Sequence, residues 1–173
     1  GTNGKTTTTA LTYHLLDKAG LNVGLGGNIG TSFARQVANG DKEYFVLEVS
    51  SFQLDNCVTF KPHIAVLCNI TEDHLDRYDY KFENYIDSKF SITKNQDADD
   101  YFIYCMDDKV TMEYFHKANS AVQKLPVSYY QKVSKGAYVE NKQIIIELDQ
   151  NNFIMPISEL SIQGMHNSYN SMA

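Results

Sequence analysis

The hydrophobic positions of this chain alternate between helical spacing and short, unbroken apolar runs. Helical spacing is clearest in ALTYHLLDKAG, where Leu11, Leu15 and Leu16 fall on one face, and it recurs in TSFARQVANG, FENYIDSKFSITKN and DDKVTMEYFHKAN. Apolar runs lie between these segments in LNVGLG, EYFVLEVS, HIAVLCNI and DYFIYCM, as buried parallel strands do. The order predicts alternating strands and helices, with a short helix in SSFQLDN and another beginning in GMHNSYNSMA.

The stretch from Val122 to Ile157 has a different pattern. Its short alternating segments, VSYY, AYVE, QIIIEL and NFIMPI, are separated by polar turns and predict antiparallel hairpins. We therefore expect an α/β fold of the phosphate-loop type, with a mostly parallel sheet, helices on both faces and a small antiparallel side sheet. Because a phosphate loop needs a strand leading into it, we expect that strand before Gly1 and interpret residues 1–173 as one domain of a longer protein.

Composition narrows the possible functions. The chain has 173 residues, of which 43% are hydrophobic and 21% charged, and this is the balance of a globular domain. A net charge of −6 argues against a non-specific nucleic-acid or anionic-membrane surface, and no apolar run approaches the roughly 20 residues that span a bilayer. The three cysteines lack metal-ligand spacing, so we expect reduced thiols in a cytoplasmic protein. We also expect that protein to be a monomer.

The first candidate site is Gly4-Lys5-Thr6, which has the sequence that ends a phosphate-binding loop. In such a loop the backbone amides surround phosphate oxygens, the lysine reaches the β and γ phosphates, and the hydroxyl binds Mg²⁺. The glycine that opens the full motif would lie two places before Gly1. The alternative interpretation is a glycine turn that merely precedes a helix.

Acidic and imidazole side chains follow two of the predicted strands. Glu48 ends the EYFVLE run, and Asp73 and His74 follow HIAVLCN. Ligands of parallel sheets bind at the carboxyl ends of strands, where Glu48 would hold a metal ion and Asp73 would orient a metal-binding His74. The alternatives are a strand-end acid that reaches solvent and an ordinary surface histidine.

Taken together, the motifs resemble those of one enzyme family. GTNGKTTTT, GGNIG, LEVSSFQLD, NITEDHLDRY, the helical lysine of YIDSKFSI and GMHNSYNSMA occur in an order that resembles the central ATP-binding domain of the Mur ligases, over essentially the whole chain. GGNIG, LEVSSFQLD and TEDHLDRY are most similar to the members that add D-glutamate.

The resemblance implies a role for individual residues. Lys5 would bind the β and γ phosphates, Thr6 and Glu48 the first Mg²⁺, and His74 the second. Lys89 would react with CO₂ to form a carbamate that helps to hold the second Mg²⁺, and Asn28 would contact the transferred phosphate or the acyl phosphate. The residues implied in ATP binding are Gly1, Thr2, Asn3, Gly4, Lys5, Thr6, Thr7, Asn167 and Asn170.

The implied reaction joins D-glutamate to UDP-MurNAc-L-alanine through an acyl phosphate, with ATP and Mg²⁺, during peptidoglycan precursor synthesis. Both substrates are small molecules. The UDP-binding and amino-acid-binding domains would lie before and after residues 1–173, so the isolated segment would be inactive. The alternatives are a sister Mur ligase or a ligase like folylpolyglutamate synthase, a phosphate-loop module that binds nucleotide without ligation, and a non-catalytic remnant.

Overall fold

The structure is a computed structural model that describes residues 1–40, 42–149 and 151–173. Its helices are α1 (Lys5–Lys18), α2 (Phe33–Ala38), α3 (Ser51–Leu54), α4 (Phe82–Phe90), α5 (Lys109–Glu113) and α6 (Met165–Met172). Its strands are β1 (Val23–Gly27), β2 (Tyr44–Glu48), β3 (Ile64–Leu67), β4 (Tyr101–Cys105), β5 (Gln123–Ser128), β6 (Gly136–Glu140), β7 (Gln143–Leu148) and β8 (Asn151–Pro156). Short 3₁₀ turns cover Leu75–Arg77, Ser91–Thr93, Phe115–Lys117 and Ile157–Glu159.

The described strands pair in two groups. β1 and β2 form a parallel pair, and the other group has the order β3-β4-β5-β6-β7-β8. Within this second group β3 to β6 run parallel, and β6, β7 and β8 are antiparallel. The predicted mixed α/β fold with a mostly parallel sheet is therefore confirmed.

One part of the hairpin prediction is wrong. Only the first two residues of VSYY, Val127 and Ser128, lie in a strand, and they end β5, which pairs in parallel with both β4 and β6. Only the last three predicted strands are therefore antiparallel. Local alternation cannot distinguish these cases, because pairing direction depends on the connection between strands. β6 and β7 are joined by Asn141 and Lys142, which both have positive φ, as a tight hairpin turn requires.

Helices pack on both faces of the sheet. Alternate residues of β4 point to opposite sides, so Phe102 joins a buried cluster with Ile86 and Phe90 of α4. Ile103, the next residue of β4, points to the other face and packs with the cluster that contains Met172 of α6. The sheet thus lies between α4 and α6 and holds both helices at fixed positions.

The first helix departs from the prediction. Leu15 is 59% exposed, whereas Thr8 and Thr9 are buried in a helix that contacts β1, β2 and α6. Elsewhere the local signals agree with the structure: Ser50 caps α3, with Gln53 completing the capping box. The three cysteines are free and half-buried, and no helix in the described residues is long and apolar enough to cross a membrane.

The packing of α4 can be tested with Ile86, which is fully buried. Ile86→Ala should lower the free energy of unfolding by about 3 kcal/mol, because it removes buried methyl groups and leaves a cavity. Urea denaturation of the full protein that carries this chain would measure the change. Val58→Ala, at a side chain 75% exposed, is the control and should stay within about 0.5 kcal/mol of the parent. Equal losses in the two variants would contradict the packing described for α4.

Candidate functional site

The glycine-rich loop is held in shape by a neighbouring strand end. The backbone NH of Thr2 donates to the carbonyl of Asn69, 2.8 Å away, and the NH of Asn3 donates to Asn69 Oδ1 at 2.9 Å. Gly4 has φ of 85°, and a Cβ at this position would collide with Asn170 Oδ1. Only glycine satisfies both demands, so the loop turns tightly into α1.

The loop places a cation and free amides at the start of a long helix. Lys5 Nζ donates to the carbonyl of Thr2 at 2.8 Å, so the ammonium lies over the loop itself. α1 extends for 14 residues from Lys5, and the amides of its first turn have no partners within the helix. A helix start with free amides and an ammonium favours an anion, and phosphate fits this arrangement.

Glu48 is the most buried acid of the site, with 3% of its surface exposed. Its Oε2 accepts a hydrogen bond from Thr6 Oγ1 at 2.7 Å, and its Oε1 accepts one from Asn28 Nδ2 at 2.9 Å. Gly27, with φ of 99°, makes this possible, since a Cβ there would collide with the carbonyl of Glu48.

This arrangement fits a divalent cation. In the described residues no lysine, arginine or histidine forms an ion pair with Glu48, so its buried charge is met by neutral donors alone. Hydroxyl and carboxylate oxygens are the ligands that Mg²⁺ prefers, and it usually completes its shell with water and substrate phosphates. Among the described residues, no group of three or more His, Cys, Asp or Glu side chains is arranged so that it could hold a metal ion by itself.

Asp73 and His74 lie in the loop that follows β3. Asp73 Oδ1 accepts a hydrogen bond from the backbone NH of His74 at 2.9 Å, and Asp73 Oδ2 is 3.5 Å from His74 Nε2. His74 also packs on Phe52, with the ring centroids 5.1 Å apart. In the part of the chain that the structure describes, no hydrogen bond or ion pair joins His74 to Glu48 or Lys89.

Lys89 is buried, with 5% of its surface exposed, whereas a lysine on an amphipathic helix usually lies on the solvated face. Burial and the neighbouring Lys5 ammonium lower the pKa of Lys89 to about 8, although the Asp73 carboxylate acts in the opposite direction. Lys89 Nζ lies 4.2 Å from the ring centroid of Tyr85. An appreciable neutral fraction near neutral pH makes this amine a nucleophile.

The helix α6 brings Asn167 and Asn170 to the other side of the loop. Asn170 Oδ1 accepts a hydrogen bond from Thr8 Oγ1 at 3.4 Å, and Asn170 Nδ2 donates to Asn167 Oδ1 at 3.2 Å. A cavity of about 420 Å³ lies between α6, the loop and the ends of β3, β4 and β5. Thr7 and His166 also line this cavity.

Two residues that support the site were missed from the sequence. Asn69 forms the hydrogen bonds that shape the loop, and its signal is a polar residue directly after a buried strand. Tyr85 connects Lys89 to the loop, because its hydroxyl lies 3.4 Å from Thr2 Oγ1. The signal for Tyr85 is its position four residues before Lys89, on the same helix face.

The chain matches one family over its full length. The family model for the Mur ligase middle domain covers residues 1–173. The UDP-N-acetylmuramoylalanine--D-glutamate ligases of Christiangramia forsetii and Cytophaga hutchinsonii are 56% identical over 173 residues and 51% identical over 174 residues. The corresponding protein of Bacteroides fragilis is 49% identical over 173 residues. These matches cover 100% of this chain and 39% of each relative, so the chain spans well under half of their length.

Solved structures show the same fold at low identity. The MurF ligase of Thermotoga maritima, in complex with ADP, superposes with a TM-score of 0.68 at 22% identity, covering 100% of this chain and 42% of that one. The UDP-N-acetylmuramate:L-alanyl-gamma-D-glutamyl-meso-diaminopimelate ligase from Neisseria meningitides superposes with a TM-score of 0.68 at 18% identity. The match covers 97% of this chain and 56% of the ligase chain.

The lowered pKa of Lys89 gives stability a distinct pH dependence. Unfolding restores a pKa near 10.4, so between pH 8 and about 10.4 the unfolded state binds more protons and the folded state gains stability as pH rises. Relative to Lys89→Met, the parent should gain roughly 1 kcal/mol per pH unit in this window. Denaturant unfolding in CO₂-free buffer would measure it.

The control is Lys18→Met, because Lys18 is exposed at the end of α1. This variant should follow the pH dependence of the parent. A Lys89→Met curve parallel to that of the parent would mean that the Lys89 ammonium is well solvated.

Proposed function

The chain belongs to the Mur ligase family, in which it forms the middle domain, and we propose that it binds ATP and Mg²⁺ for an amide-bond ligation in peptidoglycan precursor synthesis. The observation that carries this proposal is the buried Glu48 carboxylate, which meets Thr6 and Asn28 beside the phosphate loop. The names of relatives at 49–56% identity favour D-glutamate as the amino acid and UDP-MurNAc-L-alanine as the acceptor.

The loop would bind the triphosphate. The backbone of residues 1–4, with the first turn of α1 from Lys5 to Thr7, would surround the phosphate oxygens, and Lys5 would leave the Thr2 carbonyl for the β and γ phosphates. Asn167 and Asn170 lie at the cavity beside the loop and would face the nucleoside. Asn28, already directed at Glu48, would contact the transferred phosphate.

Thr6 and Glu48 would hold the first Mg²⁺, and His74 and Lys89 would hold the second. When bound, Mg²⁺ neutralises phosphate charge that otherwise repels an incoming carboxylate. Lys89 contributes through its neutral amine, which attacks CO₂ at carbon and loses a proton to give a carbamate anion. The protein therefore converts a buried cation, which its surroundings disfavour, into an anion suited to a metal site.

The reaction would proceed in two substitutions. A carboxylate oxygen of UDP-MurNAc-L-alanine attacks the γ-phosphorus, the bond to the ADP oxygen breaks, and an acyl phosphate forms. The amine of D-glutamate then attacks the acyl carbon and loses a proton, and the tetrahedral intermediate expels phosphate to leave the amide. The first substitution brings two anions together, so the main task of Lys5 is to place positive charge at the phosphates.

The rest of the ligase would lie outside these residues. Since the relatives are more than twice as long, we propose that a UDP-binding domain and an amino-acid-binding domain flank the chain, with the first sheet strand before Gly1. The complete enzyme would be a cytoplasmic monomer without nucleic-acid or membrane partners.

The ligation should be measured as phosphate release by the full-length protein that carries this chain. With ATP, Mg²⁺ and UDP-MurNAc-L-alanine, release should depend on D-glutamate within a panel of amino acids, and Lys5→Ala should abolish it because the γ phosphate loses its cation. Dependence on another amino acid would indicate a sister ligase. ATP binding without release for any amino acid would contradict ligation and favour a nucleotide-binding module.

The carbamate can be tested by chemical rescue. Lys89→Ala should lower the ligation rate by about a hundredfold or more, and a high concentration of acetate should restore part of it, because acetate supplies the missing anion. Lys5→Ala is the matched control. This variant lacks a cation, which an acetate anion cannot replace, so it should stay inactive when acetate is added. Full activity of Lys89→Ala, or equal rescue of both variants, would contradict the role of Lys89.

A further inference from the structure

Two consecutive residues of α6 connect this helix to different parts of the molecule. The Tyr169 hydroxyl donates a hydrogen bond to Asp107 Oδ2 at 2.6 Å, beyond the end of β4. The next residue, Asn170, lies against Gly4 and Thr8 at the phosphate loop. Since consecutive residues of a helix point about 100° apart, α6 contacts the sheet and the loop at the same level.

Asp107 is a rigid attachment point for Tyr169. Its Oδ1 accepts a hydrogen bond from Ser128 Oγ at 2.7 Å, and its Oδ2 accepts a second one from the backbone NH of Tyr129 at 2.6 Å. Ser128 is fully buried, and its Oγ accepts from the backbone NH groups of Tyr130 and Gln131. The carboxylate is therefore fixed to the ends of both β4 and β5, and a bond between a phenol and a carboxylate is charge-assisted.

Asn170 is constrained as closely on the other side. It is 9% exposed and contacts Thr8 and Asn167 through its amide. Gly4 leaves no room for a side chain between the loop and this amide. A small displacement of α6 would therefore separate Asn170 from the loop or press the two together.

The cavity beside the loop lies between these two attachments. Asp107 lines it from the sheet, Gly4 lines it from the loop, and Asn167, Tyr169 and Asn170 line it from α6. The hydrogen bond between Asp107 and Tyr169 thus joins the sheet to α6 at the wall of the space that the proposed nucleotide would enter.

We propose that Asp107 and Tyr169 are positioning residues for nucleotide binding, which act by holding α6 so that Asn167 and Asn170 meet the phosphate loop. This proposal rests on the proposed ATP site. Burial, followed by the bond to Asp107, raises the pKa of Tyr169 far above its ordinary value, so the phenol remains a donor at physiological pH.

The test compares two tyrosines that make the same bond in different places. Tyr169→Phe removes the hydroxyl at the cavity, and Tyr138→Phe removes a hydroxyl that donates to Glu147 Oε1 at 3.1 Å, between β6 and β7. In the full-length protein, Tyr169→Phe should weaken ADP binding and raise the KM for ATP roughly fivefold to tenfold, with kcat within about twofold. Tyr138→Phe should leave both unchanged, and Asp107→Asn should follow Tyr169→Phe.

A double variant tests whether Tyr169 acts through Asn170. Asn170→Ala alone should raise the KM for ATP, and adding Tyr169→Phe should raise it no further, because the position of α6 no longer matters once the amide is gone. Additive effects, an unchanged ADP affinity in Tyr169→Phe, or an equal effect of Tyr138→Phe would overturn the proposal.

Binding and ligation are measured separately, so the two proposals fail in different ways. Calorimetry with ADP and with ATP and Mg²⁺ reports on α6 even in a protein that does not ligate. A parent that binds ADP but releases no phosphate would contradict the proposed ligation, while the Tyr169→Phe affinity would still decide the positioning role. Normal D-glutamate ligation with an unaffected Tyr169→Phe would overturn the positioning role alone.

Discussion

The site depends on one constraint, the burial of the Glu48 carboxylate. A buried charge is costly unless hydrogen bonds or a counter-ion offset its lost hydration. Thr6 and Asn28 supply the hydrogen bonds, and they come from the start of α1 and the end of β1, so satisfying Glu48 also sets the relative position of these two elements. Gly27 permits the approach, since any side chain there would strike the backbone of Glu48.

The parallel strands explain why the other groups gather at the same edge. The carboxyl ends of β3, β4 and β5 lead to Asn69, Asp107 and Ser128, and these residues hold the loop and α6 through hydrogen bonds. The sheet thus acts as a rigid frame from which short polar side chains position the parts of the site. Solved Mur ligases share this frame at 18–22% identity, because a core accepts many different hydrophobic residues as long as the pattern of buried positions is kept.

The charges of the site follow a common logic. Lys5 and Lys89 lie near each other, and Lys89 is buried, so the second ammonium is disfavoured and its pKa falls to about 8. A site for a triphosphate needs positive charge at the phosphates, and a site for a metal needs anions beside it. Under the proposed function, a single lysine pair serves both needs, with one amine kept as a cation and the other free to become an anion.

The sequence by itself determined the order of strands and helices, the glycine-rich turn that leads into α1 and the family, because these depend on short-range patterns and local motifs. It misassigned the pairing of β5, and the shared face of the leucines in α1 did not show that Leu15 is exposed, since both depend on which elements lie next to them. It also missed Asn69, Tyr85, and the bond from Tyr169 to Asp107, which spans 62 positions. Only the tertiary structure decided these contacts, because the burial and pKa of a side chain such as Lys89 depend on distant neighbours that local sequence does not specify.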